Sequence, residues 1–466
     1  MTNTPDQHGV DPDPETMRQL GYRAIDLVVE WMERLPEAPV GRFPRSEILK
    51  PLVEEPLPHA GQPVEEGMEK FMHEYLPYAT LVNHPRFFAY IPCPGSYVGA
   101  LGSFLASATN LFTSSWLGGA VAAQLEEQLL SWVREAVDLP AEFGGVLTSG
   151  GSIANLSALA AARTRLDAEE HHLGTVYLST EAHFSVAKAA GLLGIPDSRI
   201  RHLAIDSAQR LTPADVDAAM AQDIDSGLRP MLLCASLGTT TTGAIDPIPE
   251  LAEIAHRHGA WFHVDGAYGA ATRLLPEYRK LTAGLSKADS ITLDPHKWLY
   301  APFESGCFLT RDMAALEAAF TADGEYMQDI PRDEINLFRR GPELTRGNRA
   351  LKLWLLLRSV GIDAMADAIR KDIRLCALAR DLIAVDSRFE VVTQPQLSVF
   401  CFAARESEAA TRQLMEDILE DGYLMLSSSR VDGRYVLRFC VLNHRTTEQD
   451  IRNSVERIQS LLGNPG

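Results

Sequence analysis

Residues 261–270 read WFHVDGAYGA, and the order of residue types in this stretch decides the fold. Trp261 to Val264 is a short, largely apolar run of the kind that forms a strand buried on both faces. Asp265 closes it with a carboxylate, and Gly266, Ala267, Gly269 and Ala270 follow as small residues. Comparable β-rich runs recur at 175–179, 231–236, 290–293 and 306–310. Helical patterns at 152–165, 185–194, 213–223 and 248–258 lie between them. Strand–helix–strand alternation predicts an α/β fold with a mostly parallel sheet covered on both faces. In such a sheet ligands bind beyond the carboxyl ends of the strands, so chemistry is sought just after each strand.

Outward from this region the pattern changes twice. A helical period over 15–35 puts Leu20, Ala24, Leu27, Val28 and Trp31 on one side, and Pro36 and Pro39 end it. A Pro-rich connector then runs to about residue 60. After residue 345 an apolar helix is predicted at 349–361. Strands follow at 389–392, 397–403 and 435–440, with helices at 406–421 and 446–462. The expected organisation is an N-terminal helical segment over 1–95 suited to docking on a second subunit, a large α/β domain over 96–345, and a small α+β domain over 346–466.

The chain has 466 residues, with 43 Lys+Arg against 62 Asp+Glu and a net charge of −19. That acidic balance argues against nucleic-acid and anionic-membrane partners, both of which want a basic face. No uninterrupted apolar run reaches the ~18 residues of a membrane span. The polar, acidic start lacks the features of a secretory signal, so a cytoplasmic location is expected. The cysteines (Cys93, Cys234, Cys307, Cys376, Cys401 and Cys440) form no CxxC pair and read as free thiols. They are too scattered for a zinc site, and no metal is expected.

Four features carry chemistry. Asp265 needs a cationic or donor partner, because burying a lone carboxylate is expensive; capping a helix is the plain alternative. Lys297, beside Trp298 in SITLDPHKWLYAPF, sits between apolar runs. Desolvation would lower its pKa and make it an amine nucleophile, although a salt-bridged lysine fits the pattern as well. In TSGGSIANLSALAAAR (148–163) a Gly/Ser turn enters a helix, offering either an anion site at the free N–H groups or an ordinary Ser cap. His183 follows a strand and suits stacking on an aromatic ligand, or a purely structural role. Together, a phosphate cup, a stacking imidazole, a strand-end aspartate and a buried lysine describe a site for pyridoxal phosphate.

The sequence resembles the group II pyridoxal-phosphate decarboxylases, which act on aromatic amino acids, tyrosine, histidine or glutamate. The matching stretches are PRFFAYIP (85–92), GGSIANLSALAAAR (150–163), EAHFSVAKAA (181–190), GTTTTGAIDPI (238–248), WFHVDGAYGA (261–270), DPHKWLY (294–300), LTRGNRALKLW (344–354) and LRFCVLNHRT (437–446). The resemblance implies the aminotransferase-like fold type I, with a mostly parallel seven-stranded sheet, a small C-terminal α+β domain and an N-terminal helical segment. It also implies a homodimer with the active site at the subunit interface.

Carried over residue by residue, the resemblance makes Lys297 the covalent anchor of the cofactor. Asp265 becomes the partner of the ring nitrogen, Ala267 the floor beneath the ring and His183 the stacking group. Gly151, Ser152 and Thr240 would surround the phosphate, with His296 nearby. Tyr326, in DGEYMQDIPRDEIN, matches a loop tyrosine that returns a proton and favours an amine over an aldehyde product. Substrate contacts would come from Tyr90, Ile91, Pro92, Cys93, Phe112, Phe303 and Thr345.

The pocket departs from its relatives where Ile91 replaces a second aromatic, and Ser114 and Ser115 replace bulk. Thr345 limits the depth available to an indole. An aromatic L-amino acid with a phenyl or phenolic side chain is the expected substrate, ahead of tryptophan. An aldehyde synthase, or a decarboxylase of acidic or diamino acids, is the alternative. Asp294 stands where several relatives have a neutral Asn; its charge would repel a phosphate, so its side chain is not expected on the cofactor. Arg346 matches a family arginine and fits a structural ion pair equally well.

Overall fold

The computed structural model describes residues 10–322 and 324–463, apart from the Tyr326 side chain. Seven strands, β1 (Gly144–Thr148), β2 (Gly174–Ser179), β3 (Ile200–Leu203), β4 (Arg229–Ser236), β5 (Trp261–Asp265), β6 (Ser290–Leu293) and β7 (Gly306–Thr310), form one sheet in the order β1-β7-β6-β5-β4-β2-β3. Six point one way. β7 alone is reversed, antiparallel to β1 and β6. β5 lies in the middle, in parallel register with β4 and β6.

The two-residue period of β5 assigns its side chains to opposite faces. Phe262 and Val264 enter a core with Ile291, Leu251 and Trp298. Burying each of them stabilises the fold by about 1.5–3 kcal/mol. Trp261, His263 and Asp265 face the other way, toward the alanine-rich helix Gly151–Arg163. The same alternation that builds the core therefore aims the strand's polar residues at one helix.

A second sheet, β8 (Phe389–Val391), β9 (Val399–Ala404), β10 (Ser427–Val431) and β11 (Arg434–Cys440), is antiparallel in the order β10-β11-β9-β8. Its core joins Phe400, Phe402 and Phe439 to residues of the helices Ile362–Val385, Glu408–Asp421 and Glu448–Leu461. Phe88 belongs to this core and stacks on Phe439 at 4.3 Å, so the 85–92 stretch packs on the C-terminal sheet.

Several elements differ from the sequence expectation. β1 was not expected; it begins Gly144-Gly145, and a Cβ at Gly145 would meet the Phe308 carbonyl oxygen. Close approach of two strands, rather than strand propensity, selects glycine there. The helix Ile362–Val385 follows the predicted one where only a link to β8 was foreseen. Helices Tyr97–Thr109 and Trp116–Ala136 fill 97–136, and the connector before residue 60 contains the helix Ser46–Val53. All six cysteines are free, five of them buried and Cys93 half-buried. Among the described residues no helix is long and apolar enough to cross a membrane.

Candidate active site

The carboxyl ends of β4 and β5, the segment after β6 and the start of the helix Gly151–Arg163 converge on a cavity of about 350 Å³. Its wall includes Gly151, Ser152, His183, Thr240, Asp265, Ala267, His296 and Lys297. Residues separated by up to 146 positions are thus brought to one place by strand ends alone.

No side chain caps the helix Gly151–Arg163; its N-cap is Gly150, and Ser152 lies inside the first turn. The Ser-capped alternative does not hold, and an uncapped start favours an anion. A Cβ at Gly151 would lie 3.1 Å from Asp294 Oδ2 and 3.4 Å from the Ala267 Cβ, so any larger side chain would press on the wall.

Asp265 caps no α-helix either. Its Oδ1 accepts from the Ala267 N–H at 3.2 Å, and its Oδ2 accepts from Asn155 Nδ2 at 3.0 Å. Asn155 also donates to Ser185 Oγ at 2.9 Å, and Ser185 Oγ lies 2.7 Å from His183 Nδ1. The Asn155 carbonyl accepts from Thr292 Oγ1 at 2.8 Å and lies 3.0 Å from His263 Nε2. Burial pushes His263 down to about 4 and lowers His183, Asp265 opposing both shifts, so both imidazoles are neutral near pH 7. One buried amide therefore ties the strand-end carboxylate to the imidazole on the facing wall.

Lys297 corrects one expectation. Burial, the largest influence, would lower its pKa, but the carboxylates of Asp294 and Asp265 outweigh it and hold it above the ordinary lysine value. Its Nζ lies 3.1 Å from Asp294 Oδ2, and the side chain is 20% exposed. Asp294 is buried, a cost that alone would raise its pKa; Lys297 and His296 hold it below the usual range. Cys93 stands near Lys297, and burial pushes its thiol up to about 12, so it stays a neutral thiol.

None of the expected substrate residues lines the cavity. Ile91 and Pro92 are buried, whereas Tyr90, Phe112, Phe303 and Thr345 are exposed and stand outside the cavity wall. Phe303 sets its ring 5.2 Å from that of His296. The backbone of Tyr326 falls in the 3-10 turn Glu325–Met327; its side chain lies outside the described residues. Arg346 forms the structural ion pair, its Nη2 at 3.0 Å from Glu126 Oε2 with both side chains buried.

Sequence reasoning missed Asn155, Ser185, Glu304 and Arg438. Buried Arg438 on β11 donates to the carbonyls of Thr240, Thr241 and Tyr90, clamping the Thr240 turn to the 85–92 stretch. A lone amide among alanines was the available signal for Asn155; Arg438 left none.

An uncapped helix start, an amine, a networked carboxylate and a neutral imidazole around one cavity are what pyridoxal phosphate requires. With a parallel sheet carrying one reversed strand, they define the class as a pyridoxal-phosphate enzyme of fold type I. A family profile described as "Pyridoxal-dependent decarboxylase conserved domain" matches residues 46–405. An aromatic-L-amino-acid decarboxylase from Bacillus atrophaeus is 34% identical over 96% of this chain and 95% of its own length. A crystal structure of Oryza sativa TDC with PLP and tryptamine superposes with a TM-score of 0.93 at 28% identity, covering 97% of this chain and 98% of that one. Rhodiola rosea 4-hydroxyphenylacetaldehyde synthase gives 0.91 at 27% identity, covering 96% and 98%. The chain belongs to the pyridoxal-dependent decarboxylase family.

Proposed function

We propose that this enzyme removes the α-carboxylate of an aromatic L-amino acid, of the phenylalanine, tyrosine, DOPA or tryptophan type, releasing the amine and CO2. The observation that carries the assignment of roles is the meeting of Lys297, Asp265, His183 and the helix start at Gly151 around one cavity. The names of the Bacillus, rice and Rhodiola relatives support the aromatic side chain.

Bound pyridoxal phosphate supplies a conjugated electron sink for the bond that breaks. Lys297 would be its covalent anchor. Asp265, oriented by Asn155, would hold a proton at the pyridine nitrogen and so keep the ring cationic. His183 and Ala267 would hold the ring, and Gly151, Ser152 and Thr240 the phosphate, with His296 beside them. Tyr326 would supply the proton to the substrate Cα that commits the reaction to an amine.

The Rhodiola relative keeps a second reading in view, oxidative conversion to an aldehyde. A panel of aromatic, acidic and diamino L-amino acids, scored for CO2, amine, aldehyde, hydrogen peroxide and ammonia, separates the two. Amine equal to CO2 on aromatic substrates is expected. Peroxide and ammonia in step with CO2 would establish the aldehyde route, and turnover confined to acidic or diamino substrates would refute the aromatic assignment.

The working form on this reading is a cytoplasmic homodimer, divided at 95/96 and 345/346, with Tyr90, Phe112, Phe303 and Thr345 completing the pocket at the interface. Exposed Tyr22, Phe71, Phe104 and Val121 support it, since a partner would cover them. Sedimentation at twice the chain mass is expected, and fully active particles of single-chain mass would exclude it.

A further inference from the structure

Asp294 follows β6 directly and has no part in the scheme above. Its backbone is fixed by donation to the Ala267 carbonyl at 3.1 Å, and its side chain is 4% exposed. Oδ2 lies 3.1 Å from Lys297 Nζ and 3.4 Å from His296 Nε2, and it abuts Gly151 at the helix start. Oδ1 is buried without a hydrogen-bond partner among the described residues. A carboxylate on the wall of an anion cup opposes the anion, and a lysine held as ammonium cannot attack a carbonyl. Both difficulties are removed by moving a single proton.

We propose that Asp294 is a positioning residue that keeps Lys297 protonated and aimed into the cup, then accepts its proton as a phosphate seats at Gly151. The proposal rests on Lys297 being the covalent anchor. Negative charge arriving at Gly151, where Asp294 Oδ2 and not Lys297 Nζ is the nearest group, raises the energy of the carboxylate more than it steadies the ammonium behind it and so favours the neutral pair. The transfer breaks one N–H bond and forms one O–H bond, and the amine keeps the electron pair it needs as a nucleophile. The other titratable groups whose charges reach Asp294 are His183, Cys93 and Cys307. Burial holds the cysteines as thiols and disfavours the charged form of His183, and Lys297, His296 and Asp265 are the other ionisable side chains around the cup.

The test uses the full chain freed of cofactor, as wild type and as the neutral variants Asp294→Asn and Asp294→Ser. The first readout is the pH profile of Lys297 acetylation by peptide mass spectrometry. The second is the affinity for pyridoxine 5'-phosphate, which has an alcohol in place of the aldehyde and cannot bond to the lysine. Both variants are expected to label at lower pH, because burial is no longer offset, and to bind the analogue on the order of tenfold tighter. A packing role alone would weaken the analogue and leave the labelling midpoint in place, and that result in the folded variants overturns the proposal. A wild-type enzyme that does not attach pyridoxal phosphate at Lys297 overturns the site assignment itself; normal attachment with unchanged midpoint and affinity overturns only the role of Asp294.

Discussion

Two buried carboxylates flank the segment 294–300 and behave in opposite ways. Asp294, on the cavity side, faces the Lys297 ammonium and is held below the usual carboxylate range despite its burial. Asp372, on the core side, receives neutral side-chain donors, Tyr300 Oη at 2.8 Å and Trp298 Nε1 at 3.2 Å, and the charge of Lys371 opposes the effect of burial without overcoming it. Burial pushes it up to about 7. Each leaves its Oδ1 without a hydrogen-bond partner among the described residues. Solvent exclusion is common to both, so the partner decides the outcome: a cation fixes a charge where chemistry needs one, and neutral donors allow a near-neutral acid to serve as a structural clasp. The first part of DPHKWLY, with Asp294, His296 and Lys297, thus serves a reactive face and its end, Trp298 to Tyr300, a packing face.

The largest effect expected on the reactive side is for Asp265→Asn. Loss of the ring-nitrogen partner should slow turnover on the order of 10²-fold or more, about 3 kcal/mol of barrier, with the unfolding midpoint little changed. Steady-state kinetics on cofactor-saturated enzyme checks it, and a near wild-type kcat would contradict the assignment.

On the packing side Asp372→Ala should reverse that pattern. Two buried donors lose their acceptor and a small cavity opens, costing about 2–4 kcal/mol of stability by chemical denaturation while kcat is largely retained. Loss of activity without loss of stability would erase the distinction between the two faces.

The pH dependence sharpens the contrast. Asp372 has a folded pKa of about 7, above its unfolded value near 3.8, so the native state binds the extra proton between those limits. Its contribution to stability is therefore present at acid pH and lost as pH rises toward 7, with a slope of up to about 1.4 kcal/mol per unit. Asp372→Asn should flatten that slope in denaturation curves taken from pH 5 to 7.5, and an unchanged slope would assign it to other groups.

The smallest effect is expected for Asn155→Ala, which removes one of the two donors to Asp265. A rate loss of about tenfold, without a change in which product forms, is anticipated from one charge-assisted hydrogen bond. No change in rate would show that Asp265 is oriented by Ala267 alone.

The sequence disclosed what local pattern encodes. β5, β6 and β7 begin and end where their apolar runs do. Asp265, Lys297 and His183 stood out because each follows an apolar run that strand geometry carries to one sheet edge. Asn155 and Asp372 did not, because their partners lie 110 and 72–74 residues away and nothing adjacent marks them. The helix Ile362–Val385 has its signal in Met365, Ile369, Cys376, Ala379 and Ile383, a sparse apolar stripe among many charges that a reading for continuous hydrophobicity passes over. The residues of the expected substrate pocket rest on likeness, and Tyr90, Phe112, Phe303 and Thr345 are exposed outside the cavity wall, so no local pattern or packing marks them as a pocket.

The most direct test of the account is to load the wild-type enzyme with pyridoxal phosphate, reduce it with borohydride and map the modified peptide by mass spectrometry. The account predicts a single phosphopyridoxyl group on Lys297, and none there in Lys297→Ala along with loss of the visible absorbance band. Attachment at another lysine, or an undiminished band in Lys297→Ala, would contradict it.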